Sequence, residues 1–350
     1  MRMLHVIPED GIGGVEIAAY RAAERLDGAL RVQFLKPHGT PGENAPSEVR
    51  IAYGTAANAL DIRNAFCAVR TARAFDPGVI VFSLWKTIVA FLVMRLVLRD
   101  RKFVLFVHSD RSSHVFDRLA TSLMARWSHA VWADSASALE GRLGERRHRL
   151  RTRIISFILH KSAAIVRDGP KPLFAYWGRL NRIKGIDQAI ALFYRIAARR
   201  PDARFLIIGP DSGALEGLKQ QVHGLGLDGR VTFAGAMTMP EISEATADAS
   251  FFIQLSKQEG MAMSVIEAMQ LGLVPVVTPV GAIKDYCRDD ENAVVFSGIE
   301  DTADRIEVLL CDADLYRATS RSAMAQWTDA PLYQDDFIMA ARDVIDATQA

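Results

Sequence analysis

The sequence predicts an α/β protein made of two doubly wound, Rossmann-like units. Short apolar runs alternate along the chain with segments whose apolar residues recur at three- and four-residue spacing. That is the pattern of parallel strands covered by helices on both faces. A length of 350 residues suits two domains better than one. DGPKP at 168–172 interrupts both periods midway, since Gly and paired Pro break helix and strand alike. The expected units are 1–168 and 169–330, with a last helix over 331–350.

In the first unit the strands are MLHVI (3–7), RVQFLK (31–36), VIVFS (79–83), KFVLFVH (102–108), AVWADS (130–135) and RIISF (153–157). Helical spacing fills 15–26, 61–74, 85–98, 115–129 and 136–144. The second unit repeats the scheme with LFAYWG (173–178), RFLIIG (204–209), VTFAG (231–235), SFFIQL (250–255), VPVVT (274–278) and AVVF (293–296). Its helical segments are 184–200, 212–225, 240–248, 264–271 and 301–325. In such sheets ligands bind beyond the carboxyl ends of the strands, where helix N-termini point at them.

Composition narrows the function. Half the chain is apolar and 24% is charged, which excludes wholesale disorder. The net charge of +1 conceals a split: 25 Lys/Arg against 16 Asp/Glu in 1–168, and 17 against 25 in 169–350. A basic first half suggests an anionic partner there. Cys67, Cys287 and Cys311 are far apart with no CxxC spacing, so neither a zinc site nor a disulfide framework is expected. The apolar stretch Thr87–Leu98 is broken by Arg95 and falls short of the ~20 residues that span a bilayer. With no signal-peptide pattern, the expectation is a cytoplasmic protein, with peripheral attachment at the inner face of the membrane in view.

Four strand-to-helix junctions carry the chemistry. GIGGVE (11–16) follows the first strand; Gly13 and Gly14 let backbone approach a ligand. Glu16 stands where a dinucleotide fingerprint needs Gly, and the second strand ends in Lys36, Pro37 and His38 instead of an acid, so a dehydrogenase is not expected. His108 closes an apolar strand in FVHSD, where a side chain faces the ligand end of the sheet. GRLNRIKG (178–185) places Arg179 and Lys184 across a glycine-flanked turn, a planar fork and a point charge suited to a diphosphate. In SKQEGMAMSVIEAMQLG, Glu259 and Glu267 stand eight apart, and Gly260 argues against one helix through both. The expectation is Glu259 on a loop and Glu267 in the next helix. The loop Gly260–Met261–Ala262 would offer N–H groups to an anion, and the carboxylates would accept from hydroxyls such as those of sugars and riboses.

Together these residues resemble the retaining glycosyltransferases of family 4, which have the GT-B fold: two Rossmann-like domains facing across a crevice. The resemblance covers nearly the whole chain and is densest over 175–297. It implies transfer of a sugar from a nucleotide-sugar to an acceptor hydroxyl, without a metal or other cofactor. Arg179 and Lys184 would hold the diphosphate, Glu259 the sugar hydroxyls and Glu267 the nucleotide ribose. Gly13 and Gly14 would let the first domain's loop close on the phosphates, His108 would contact the donor sugar, and the final helix would cross back onto the first domain. No residue is an obvious nucleophile, and the resemblance implies front-face attack by the acceptor. The chain departs from the family at Ala262, usually Gly, at Asp285, usually Glu, and at Asn292–Ala293, usually Asn-Gly. A catalytically inactive binding protein and a nucleotide-sugar epimerase are the alternatives.

The acceptor is expected to be a saccharide or a lipid-linked molecule handled by the basic first unit. Arg142, Arg146, Arg147, Arg149, Arg151 and Arg153 crowd one short segment and would meet an anionic membrane surface. Nucleic acid is not expected, because no stacking aromatic is interleaved with these cations.

Overall fold

The computed structural model describes residues 1–11, 13–36, 49–165 and 167–347. Pro37 and His38 lie outside the described residues. The chain divides into two compact units, Met1–His160 with Pro331–Ala350, and Lys161–Ala330. The break falls ahead of the expected 168 because the intervening segment bonds into the second unit. Ser162 N–H donates to Gln270, Arg167 to the Leu271 carbonyl and Lys171 N–H to Ser250.

The first unit is a seven-stranded parallel sheet. Its strands are β1 (Met3–Glu9), β2 (Leu30–Lys36), β3 (Ile51–Tyr53), β4 (Val79–Ser83), β5 (Lys102–Val107), β6 (Ala130–Ala133) and β7 (Thr152–Ile154). Their spatial order is β3-β2-β1-β4-β5-β6-β7. The order reverses between β1 and β4, the switch point where such sheets bind ligands. Helices α1 (Gly14–Arg25), α2 (Ile62–Phe75), α3 (Ile88–Val97), α4 (Val115–Trp127) and α5 (Ala136–Leu143) make the crossovers. Phe82, Phe91 and Phe103 pack together in the buried core, Phe82 on Phe103 with ring centroids 5.7 Å apart. Short β3 escaped the sequence reading: it is a half-buried edge strand, without the continuous apolar run that burial on both faces demands.

The second unit repeats the plan with six parallel strands, β8 (Leu173–Trp177), β9 (Arg204–Ile208), β10 (Val231–Phe233), β11 (Phe251–Gln254), β12 (Val274–Val277) and β13 (Val294–Val295). Their order is β10-β9-β8-β11-β12-β13, with the reversal between β8 and β11. Its helices are α6 (Ile186–Arg199), α7 (Leu215–Gly224), α8 (Met239–Ala245), α9 (Met263–Gln270), α10 (Ile283–Tyr286), α11 (Ile299–Cys311) and α12 (Ala313–Thr328). The single helix expected over 301–325 is two. Asp312 ends α11 in extended backbone and caps α12 by accepting from Asp314 and Leu315 N–H. The last helix, α13 (Tyr333–Asp346), belongs to the first unit, where Tyr333 and Phe337 are fully buried.

That helix also corrects the expected basic surface. Arg153 pairs with Asp336 and Asp343 of α13, and Arg151 donates to the Asp343 carbonyl. Arg142 is buried against Asp117, and Arg147 pairs with Glu140. Of the six arginines, Arg142, Arg147 and Arg153 are thus engaged in ion pairs, and Arg146, Arg149 and Arg151 stay exposed, a smaller cationic face than the sequence suggested. The three cysteines are free thiols. No helix among the described residues is long and apolar enough to cross a membrane.

Candidate functional site

The second unit concentrates its polar groups at the carboxyl ends of β8 and β11, beside its switch point. After β8 the chain turns through Gly178 and Arg179. Arg179 is exposed, and its guanidinium has no hydrogen-bond or ion-pair partner among the described residues. Asn181 then accepts from the N–H groups of Ile183 and Lys184, 3.1 and 3.2 Å, which folds the turn that presents Lys184. Gly185 closes it at φ +63, with no room for a Cβ against the Leu255 carbonyl. Only glycine satisfies both conditions.

Glu259 lies on the loop after β11, as expected. Lys184 Nζ donates to both its oxygens, at 2.7 and 2.9 Å. Oε1 also accepts from Gln254 at 2.8 Å and Ser256 at 2.6 Å. Three donors thus fix Oε1, whereas Oε2 meets Lys184 alone. The carboxylate side chain is only 7% exposed, a burial tolerable because the charge is paired and its lone pairs are used. The loop is braced from behind. Gly281, φ +58, packs its backbone on Glu259 and Gly260 with no space for a side chain, and Ala282 N–H donates to the Gly260 carbonyl at 2.9 Å. Tyr286 donates to the Met261 carbonyl at 2.8 Å.

Ala262 is the residue before α9, at φ 53 and ψ 62. The position therefore demands the left-handed conformation that favours glycine, and alanine there costs roughly 1–2 kcal/mol. The helix forms nonetheless, and its first turn leaves N–H groups, those of Met263 and Ser264 among them, without intrahelical acceptors. Glu267 sits inside α9, one turn on. Trp177 Nε1 donates to its Oε2 at 2.9 Å. Burial raises the Glu267 carboxyl from 4.5 to about 7, with the Trp177 bond pulling the other way.

The first unit contributes a second cluster. His108, at the end of β5, places Nε2 2.9 Å from Ser83 Oγ, and buried His5 places its own Nε2 2.8 Å from the same oxygen. On the other side of the ring, Nδ1 faces Asp134 at 3.5 Å. Ser83 has one proton, so it donates to one imidazole and accepts from the other. The tautomers that match these neighbours have His5 donating to Ser83, Ser83 donating to His108 Nε2, and the His108 Nδ1–H facing Asp134, with His5 Nδ1 a buried acceptor that has no partner among the described residues. Burial keeps His5 neutral, its pKa lowered to about 3. At the glycine turn, Gly13 precedes α1 and leaves no room for a Cβ against Glu16. The Glu16 carboxyl accepts from the Gly13 N–H, and burial raises its pKa. The helix terminus that the sequence offers to phosphate is thus held by the chain's own carboxyl. Ile12 lies outside the described residues.

The structure brings Lys184, Glu259, Gly260, Met261 and Ala262 into one cluster, leaves Arg179 exposed after the neighbouring strand, and keeps Gly13, Gly14 and His108 in the other unit. Sequence reasoning missed Gln254, Ser256 and Trp177 around the carboxylates, and His5, Ser83 and Asp134 around His108. A signal existed for several of them: polar residues inside or closing otherwise apolar buried strands. Among the described residues no group of His, Cys, Asp and Glu is disposed to hold a metal.

Residues 160–326 match the family model described as Glycosyl transferases group 1, a stretch that coincides closely with the second unit. The chain is 27% identical over 157 residues to the GDP-mannose:cellobiosyl-diphosphopolyprenol alpha-mannosyltransferase of Xanthomonas oryzae pv. oryzae, covering 44% of this chain and 41% of that protein. It is 34% identical over 113 residues to mannosylfructose-phosphate synthase of Agrobacterium fabrum, covering 30% and 25%. The matches thus span less than half the length of these curated relatives. In fold the chain is similar to Anabaena HepE solved in complex with UDP, with a TM-score of 0.81, 17% identity and 99% and 100% of the two chains covered. Sucrose-phosphate synthase from Thermosynechococcus elongatus gives 0.75 and 15%, covering 100% of both. The second unit therefore carries the match to group 1 glycosyl transferases, in a chain with the GT-B fold.

Proposed function

We propose that the chain is a retaining glycosyltransferase of family 4 type, moving a hexose-type sugar from a nucleotide-sugar to an acceptor hydroxyl in cell-surface polysaccharide or glycolipid synthesis. The observation that carries this reading is the paired Lys184 and Glu259, set between the Arg179 turn and the N-terminus of α9. Cations and N–H groups suited to a diphosphate lie there beside carboxylates suited to hydroxyls. The GDP-mannose used by the Xanthomonas relative and the UDP bound by HepE support a nucleotide-sugar donor.

On this reading Arg179 and Lys184 hold the diphosphate, with the backbone of Gly260, Met261 and Ala262 beside it. As the bond from sugar to phosphate breaks, negative charge grows on the departing oxygen. Fixed donors already in place stabilise it without reorganising, and each is worth about 2.7–4 kcal/mol. Glu259, its Oε1 locked by Ser256 and Gln254, turns Oε2 to a sugar hydroxyl. Glu267, held by Trp177, leaves Oε1 for a ribose hydroxyl. His108 contributes a contact to the sugar from a ring oriented by Ser83 and Asp134, and Gly13 and Gly14 a smaller contact to the phosphates once Glu16 moves aside. The acceptor hydroxyl attacks on the face the diphosphate leaves, and its proton passes to the departing phosphate, so neither a protein nucleophile nor a metal is required.

A thermal-shift screen across nucleotide-sugars tests the donor assignment. A true donor at a hundred times its Kd stabilises by about 2.7 kcal/mol, and Glu267→Ala weakens that shift. A panel of uridine, guanosine, adenosine and thymidine diphosphate sugars that moves nothing overturns it.

A further inference from the structure

We propose that Gln254 is a positioning residue for the donor's sugar: it ties Ser264, in the first turn of α9, to Glu259, and so fixes the carboxylate that meets the sugar hydroxyls. The proposal rests on the transferase reading above and goes beyond it. It gives Ser264, which stands at the diphosphate end of the site, a task at the sugar end. Gln254 closes β11 behind Phe251, Phe252 and Ile253, and all four residues are fully buried. An amide in such an apolar run is costly unless its bonds are made.

Here they are made at both ends. Ser264 Oγ lies 2.6 Å from Gln254 Oε1, and Glu259 Oε1 lies 2.8 Å from Gln254 Nε2. A carboxylate only accepts, so the amide has one orientation: Nε2 donates to Glu259, and Oε1 accepts from Ser264. The Ser264 hydroxyl uses its one proton in this bond. It has none left for a phosphate at the start of α9, where the free N–H groups of the helix serve instead. Gln254 touches no ligand itself, yet without it Glu259 Oε1 loses one of its three donors and the carboxylate is free to turn. The charged and titratable groups that face Glu259 are Lys184, bonded to both its oxygens, and the Tyr176 and Tyr286 hydroxyls, which burial keeps protonated.

The test titrates the full chain by calorimetry with each nucleoside diphosphate of the uridine, guanosine, adenosine and thymidine panel, and with its hexose conjugate. The ratio of diphosphate Kd to conjugate Kd isolates the sugar, because Glu267 and any damage to the fold act on both ligands. In Gln254→Leu the ratio falls about ten-fold below wild type, the size of one hydrogen bond to a charged group, while the diphosphate Kd is unchanged. Ser264→Ala lowers the ratio in the same sense and also leaves the diphosphate Kd unchanged. Gln254→Glu sets a second carboxyl against Glu259, and two carboxylates so close do not both ionise. Protonated, the new carboxyl donates to Glu259 and accepts from Ser264 as the amide does. The ratio in this variant is therefore wild-type at acid pH and falls at alkaline pH as the pair ionises. Circular dichroism melts confirm that the variants fold. An unchanged ratio in Gln254→Leu, equal weakening of both ligands in Ser264→Ala, or a ratio in Gln254→Glu that ignores pH overturns the proposal and leaves the transferase reading standing. A wild-type chain that binds no member of the panel overturns both.

Discussion

Glu267→Gln tests the carboxyl assigned to the nucleotide ribose. Burial beside Trp177 raises this group from 4.5 to about 7 in the folded chain, while the unfolded chain titrates it near 4.5. Between those values the folded protein holds a proton that the unfolded chain has released. The stability that goes with that proton is full below about pH 4.5 and is lost as pH rises through about 7. At 1.36 kcal/mol for each tenfold change, the loss is about 3 kcal/mol. Glutamine keeps a carbonyl for the Trp177 indole and removes the titration. Urea unfolding across this pH range, wild type minus variant, isolates the effect. Buried neutral His5 loses stability in the opposite sense, as pH falls from 6.5 towards 3, and cancels in the difference. The variant gains on the wild type by about 3 kcal/mol as pH rises past 7. A ribose hydroxyl also meets a stronger acceptor once the carboxyl ionises. Nucleotide binding therefore tightens over the same range and releases a proton in the wild type but not in the variant. A flat difference curve refutes the burial argument.

Two further perturbations follow from the geometry. Ala262→Gly relieves a left-handed alanine worth roughly 1–2 kcal/mol, offset in part by the freer unfolded chain; urea denaturation should show the second unit about 1 kcal/mol more stable. Arg142→Ala strands the buried Asp117 carboxylate without its guanidinium and should cost about 3–5 kcal/mol, whereas exposed Arg149→Ala should change unfolding by less than about 0.5 kcal/mol.

Strands were legible where burial on both faces forces an unbroken apolar run, as in Val79–Ser83 and Phe251–Gln254. They were not legible at the half-buried edge Ile51–Tyr53. Helical periodicity ran through Asp312 because the apolar spacing continues on both sides of a break made by one capping carboxylate. The site motifs were readable because glycine turns and strand ends have strong local signatures: Glu259 falls on a loop and Glu267 in a helix, as their spacing implied. The partners that orient them come from distant segments. Trp177 reaches Glu267, Ser83 reaches His108, and Asp336 reaches Arg153 across separations that no local pattern records. For the same reason the run of arginines read as a free basic face is in part internal: Arg142, Arg147 and Arg153 form ion pairs, while Arg146, Arg149 and Arg151 stay exposed.

The central claim is transfer of a sugar through the Lys184–Glu259 cluster. It is tested most directly by incubating the full chain with the nucleotide-sugar that stabilises it and a saccharide or lipid-linked acceptor. Release of nucleoside diphosphate and the anomeric configuration of the product are followed by NMR. The account predicts acceptor-dependent release, a product with the donor's configuration, and loss of turnover in Lys184→Ala and Glu259→Ala. Donor binding without turnover, an inverted product, or unchanged turnover in Glu259→Ala would contradict it.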